Sequence, residues 1–98
     1  MNIVKNLEGT KLEIALEGRL DTTTAPELET EVRQSIENVS ELLFDFEKLE
    51  YISSAGLRVL LAAQKIMNKQ GTMVVKNVDA TIMEIFEVTG FSDILTIE

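Results

Sequence analysis

The chain has 98 residues and no cysteine, histidine or tryptophan, which excludes disulfide frameworks, thiolate nucleophiles, ordinary zinc sites and imidazole-based triads. Its length fits one domain, residues 1–98, built around one core. Nine Lys and Arg against seventeen Asp and Glu give a net charge of −8, a surface that nucleic-acid phosphates and anionic membranes repel and that suits a protein partner bearing basic groups. No apolar run approaches the ~20 residues of a membrane span, and the start, Met1-Asn-Ile-Val-Lys5, lacks the pattern of a signal peptide. The expectation is a cytoplasmic protein with no metal, no cofactor, no membrane and no direct nucleic-acid contact. A non-enzymatic role follows, because carboxylate and lysine chemistry remains open only in principle.

Ile3 and Val4 open an apolar segment, and Leu7-Glu8-Gly9-Thr10 supplies a turn. Leu12, Ile14 and Leu16 then alternate with Glu13, Ala15 and Glu17, which predicts a strand with one buried face, ending at Gly18. Thr24 followed by Glu27 fits a capping box, and Pro26 falls in the first turn of the helix it opens. Leu28, Val32 and Ile36 form that helix's apolar stripe, with Val39 closing it. The nearly continuous run Leu42-Leu-Phe-Asp-Phe46 predicts a central strand buried on both faces, and Lys48-Leu-Glu-Tyr-Ile52 leads off its end.

Ser54 to Gln70 reads as a second helix, with Leu57, Leu60, Leu61, Gln64 and Met67 inward and Gly71 as its stop. Arg58, Lys65 and Lys69 share its outer side as a solvated basic face. Thr72-Met-Val-Val-Lys76 is a strand, Asp79 caps a third helix over about Ala80 to Thr89, and Gly90 ends it. Ile94-Leu-Thr-Ile97 fits a last strand. The order β-β-α-β-α-β-α-β predicts an α/β domain: a mixed central sheet of about five strands, an N-terminal hairpin and alternating helices.

Chemistry concentrates in Tyr51-Ile-Ser-Ser-Ala-Gly-Leu57, where a central strand hands over to a helix. Open α/β sheets place function at the carboxyl ends of their strands. Ser53 and Ser54 stand at a helix start, and Ala55 and Gly56 leave room for another molecule. Capping is the commoner use of such serines, and Gly56 equally suits tight helix–strand packing. Asp21 serves either the turn into the first helix or a partner.

Tyr51-Ile-Ser-Ser-Ala-Gly-Leu-Arg-Val-Leu-Leu61 resembles the signature of the STAS domain family, as found in bacterial anti-sigma factor antagonists. Gly18-Arg-Leu-Asp-Thr-Thr-Thr-Ala25 and Phe86-Glu-Val-Thr-Gly-Phe91 resemble two further family landmarks, in order and at the right spacing. The resemblance implies an antagonist that binds an anti-sigma factor with serine kinase activity and thereby releases the sigma factor. It implies ejection on phosphorylation of Ser54, with Ser53 as rival acceptor, and resetting by a serine phosphatase. The implied partner surface comprises Asp21, Thr22, Ser53, Ser54, Ala55, Gly56 and Arg58. Many members read Asp-Ser-Ser/Thr-Gly here, whereas this chain has Ser53 at the acidic position and Ala55 after Ser54. A non-phosphorylated subunit of a larger signalling or lipid-transport assembly, and a nucleotide or lipid sensor, are the alternatives.

Overall fold

The opening alternation folds as a hairpin in the computed structural model, which describes residues 1–98. Asn2–Glu8 (β1) and Lys11–Leu20 (β2) pair antiparallel around Gly9-Thr10. Gly9 takes a φ of +62°, a region glycine enters without a Cβ penalty. Two further strands, Glu41–Ile52 (β3) and Thr72–Lys76 (β4), add in parallel, giving the order β1-β2-β3-β4. Helix α1 (Ala25–Ser35) links β2 to β3, α2 (Ser54–Gln70) links β3 to β4, and α3 (Ala80–Thr89) follows.

Register builds the core. Ile14, Phe44 and Val75 lie side by side across the sheet, and Leu12, Leu42 and Met73 form the next row. All six are buried, and the same cluster takes in Leu28 and Val32 of α1, Leu60 and Met67 of α2, and Ile82 and Phe86 of α3. The three helices therefore cover one face of the sheet.

The other face is open, which corrects the reading of Leu42–Phe46 as buried on both sides. Leu43 and Asp45 alternate with buried Leu42, Phe44 and Phe46 and are half-buried on the far side. Asp45 explains the choice, because a carboxylate is cheap where water reaches it. Partial burial raises its pKa, but the Asn77 side-chain hydrogen bond at 2.9 Å, the Glu47 N–H and the charges of Lys76 and Lys48 together hold it below the usual range. Lys76 and Glu13, and Lys48 and Glu17, form exposed ion pairs on the same face.

Strand β3 also runs further than its sequence suggests, continuing through Lys48 to Ile52. Its register against β2 slips twice, between Ala15 and Glu17 and between Gly18 and Arg19. Each slip is a bulge that adds one residue on β3 and resets which side chains face inward. Leu49 and Ile52 return to the core while Lys48 and Glu50 stay wet. Gly18 accordingly sits inside β2 at a slip, with φ +100°, and does not end the strand.

The fifth strand reduces to a single bridge from Ile97 to Val75. Phe91–Asp93 turns as a short 3-10 helix and Leu95 drops into the core, so only the chain end reaches the β4 edge. The sheet has four strands. Gly71, at the end of α2, has an extended φ of 172°, and its reason is space: a Cβ would overlap the carbonyl of Ser40.

Candidate functional site

Two serines at one helix start divide the work. Ser53 is the N-cap of α2, in extended conformation, and its Oγ accepts the Gly56 N–H at 3.3 Å. Its own N–H donates to the Leu20 carbonyl at 2.8 Å, which ties the start of α2 to the end of β2. Ser54 is the first helical residue; it is exposed, and its hydroxyl makes no hydrogen bond within the chain. The N–H groups of the first helical turn have no carbonyl partners inside the helix, so this hydroxyl stands in a field that favours negative charge. Ser53→Ala should cost about 1 kcal/mol of stability and Ser54→Ala much less, since only the first removes a cap. Urea denaturation of the two variants separates them.

Gly56, placed on the partner surface from sequence, has a packing role in the structure. It is buried, and a Cβ there would lie 2.6 Å from Leu20 Cγ and 3.0 Å from Ile52 Cγ1. Its missing side chain seats α2 against β2 and β3. That seating presents Ser54 outward.

The loop after β2 is held by Asp21. Its Oδ1 accepts from the Thr23 hydroxyl at 2.7 Å, the Thr23 N–H at 3.0 Å and the Thr24 N–H at 3.1 Å. These bonds, the Thr23 hydroxyl first and the Thr24 N–H next, hold the Asp21 pKa down at about 2. The predicted capping box does not form. Thr24 has helical backbone angles and makes no cap bond; its Oγ1 accepts from the Asp21 N–H and donates to the Arg19 carbonyl, each at 2.8 Å. A cap needs extended geometry; the Thr24 backbone carbonyl accepts the Glu27 and Leu28 N–H groups instead, at 3.1 and 3.2 Å.

The sign of the Asp21 effect is set by its lowered folded pKa. The carboxylate contributes stability at all pH above its unfolded value near ~3.9, and that contribution disappears as pH falls through about 2. Asp21→Asn should therefore lower the urea midpoint at pH 7 and leave it nearly unchanged near pH 2. A pH series of the two proteins measures it.

Asp21 Oδ2 remains toward solvent, 4.0 Å from Arg19 Nε. Arg19 lies over the Tyr51 ring with its guanidinium carbon 4.3 Å from the centroid. This cation was missed in the sequence, because the Arg19–Tyr51 pairing arises from the second bulge. Thr22, Pro26, Ala55 and Arg58 line an open groove of about 240 Å³ between the starts of α1 and α2. Thr22, Ser54 and Arg58 are exposed, and Asp21, Ser53 and Ala55 are half-buried. All of them lie at one end of the sheet. The arrangement offers hydrogen-bonding groups and a shallow cleft for docking.

The STAS domain family model matches residues 3–98, and the chain belongs to that family. The anti-sigma-B factor antagonist of Listeria monocytogenes is 32% identical over 104 aligned positions, covering all of this chain and 90% of the relative. Among solved structures, an anti-sigma factor antagonist from Mycobacterium paratuberculosis superposes with a TM-score of 0.88 at 20% identity, over 98% of this chain and 83% of that one. The unphosphorylated anti-sigma factor antagonist SpoIIAA gives 0.79 at 18% identity, over 99% and 87%. Its phosphorylated form, from Bacillus, gives 0.78 at the same identity, over 99% and 91%.

Proposed function

We propose that this chain is an anti-sigma factor antagonist of the cytoplasm, whose docking is controlled by phosphorylation of Ser54. It acts by binding and not by catalysis. Its partner is an anti-sigma factor that also serves as the serine kinase, and a serine phosphatase restores the hydroxyl. The observation that carries the reading is the division between the two serines: Ser53 is committed to the cap, while Ser54 is exposed and unbonded.

The physical mechanism has two parts. A phosphoserine carries about −1.5 to −2 charge at pH 7. On Ser54 it would meet the positive end of the α2 dipole, worth roughly 0.3–1 kcal/mol, and Arg58 stands one turn away on the same exposed side. The domain thus tolerates the group, in keeping with SpoIIAA, whose phosphorylated and unphosphorylated forms both match this fold. A partner surface fitted to a neutral hydroxyl does not tolerate it, because an uncompensated buried charge costs several kcal/mol. Asp21, Thr22, Ala55 and Arg58 frame the same docking surface, with Ser53 holding its geometry.

The test is capture of partners from the cytoplasm of the source cell, with the chain as bait and mass spectrometry as readout. An ATP-binding anti-sigma factor should be retained by the unmodified protein and lost from the Ser54-phosphorylated protein. Retention by both forms, or recovery of unrelated partners only, contradicts the reading.

A further inference from the structure

Helix α3 carries more apolar surface than folding uses. Of its apolar residues Ile82 and Phe86 are buried and Met83 and Ile85 pack partly against the core, while Ala80 and Val88 are left exposed. Thr81, Glu84, Ile85 and Val88 fall at positions i, i+3, i+4 and i+7 and form one outward stripe around a shallow hollow of about 270 Å³. Val88 is 80% exposed, the largest value among the exposed large hydrophobics of the chain. A single exposed valine would need no explanation, but a stripe at helical spacing beside an open hollow has the form of a docking face.

The charge around it says what fits. From Asn77 to Glu98 the chain has no Lys or Arg, while Asp79, Glu84, Glu87, Asp93 and Glu98 are acidic. Neither Glu84 nor Glu87 has an ion-pair partner. An anionic membrane or a nucleic acid would be repelled by this rim. We infer that the outer face of α3 is a second protein-docking surface, taking an amphipathic segment whose apolar side chains sit against Ile85 and Val88 and whose Lys or Arg groups meet Glu84 and Glu87. It is separate from the Ser54 surface and does not depend on that residue's state.

The test titrates the ¹⁵N-labelled full chain with a short amphipathic Leu/Lys helical peptide, using a Leu/Glu peptide as control. Saturable shifts should centre on Thr81, Glu84, Ile85, Val88 and Thr89 with the basic peptide alone. Val88→Asp, and separately Glu84→Gln with Glu87→Gln, should each weaken binding about tenfold or more, as expected for loss of a central contact. Val88→Thr keeps the shape and guards against a folding artefact, while Ser54→Asp should bind the peptide like the parent. Shifts scattered over the acidic residues of the open sheet face, equal binding by Val88→Asp, or self-association through α3 in sedimentation equilibrium would overturn the inference.

Discussion

Ser54→Asp should lower affinity for the anti-sigma factor by about a hundredfold or more while leaving the fold unchanged. The magnitude follows from placing a fixed carboxylate where a neutral, exposed hydroxyl now stands. An uncompensated charge buried at an interface costs several kcal/mol, and each ~1.4 kcal/mol is a factor of ten. Within the free domain the same carboxylate sits in the first turn of α2, where the dipole favours it. Titration calorimetry reports the affinity and circular dichroism the fold. Ser54→Ala, which adds no charge and removes no cap, should bind like the parent. If Ser54→Asp binds equally well, the surface around Ser54 is not the docking surface.

Phe46→Ala should remove about 3–5 kcal/mol of stability, the range for deleting a buried aromatic ring. Phe46 is fully buried, with its ring centroid 6.1 Å from that of Phe44 and 6.4 Å from that of Phe86. It joins the sheet to α3, so the cavity would lie between layers that cannot both collapse. Against a typical total of about 5–15 kcal/mol this is a large fraction, and at ~4–8 °C per kcal/mol for a domain of this size the melting temperature should fall by roughly 12–40 °C. Leu43→Ala, on the open face of the same strand, should cost under about 1 kcal/mol. Differential scanning calorimetry of the pair tests whether the helices cover one face only.

Local signals in the sequence were sufficient wherever the physics was local. The alternation around Ile14, the stripe of Leu28 and Val32, Asp79 as a cap accepting the Ile82 N–H, and Gly90 in left-handed geometry all stand where the pattern places them. Errors came where a competing neighbour or a distant partner decides. Thr24 has the right neighbours for a capping box, but the Asp21 carboxylate takes the Thr24 N–H and the Glu27 N–H turns to the Thr24 carbonyl. The bulges that extend β3 to Ile52 depend on its pairing with β2; Gly18, at the second slip, is their one sign, and it reads equally as the end of a strand. Leu42–Phe46 reads as doubly buried because Leu43 is apolar; Asp45 was the sign that one side stays wet.

The site shows the same division. Residue types and the family signature brought Ser53, Ser54, Ala55 and Arg58 together, since they share one helix turn or two. Which serine caps was beyond spacing, because both suit the position; backbone angles decide it. Gly56 was ambiguous for the same reason, until Leu20 and Ile52 were seen to occupy the space of its absent side chain.

The most direct measurement is residue-resolved mass spectrometry of the chain after incubation with ATP and the proposed anti-sigma kinase, with complex size followed in parallel. Phosphate should appear on Ser54, with Ser53 unmodified, and the complex should dissociate as the modification accumulates. Phosphate on Ser53 instead, or a fully phosphorylated Ser54 in an intact complex, would contradict the idea that added charge at this helix tip drives release.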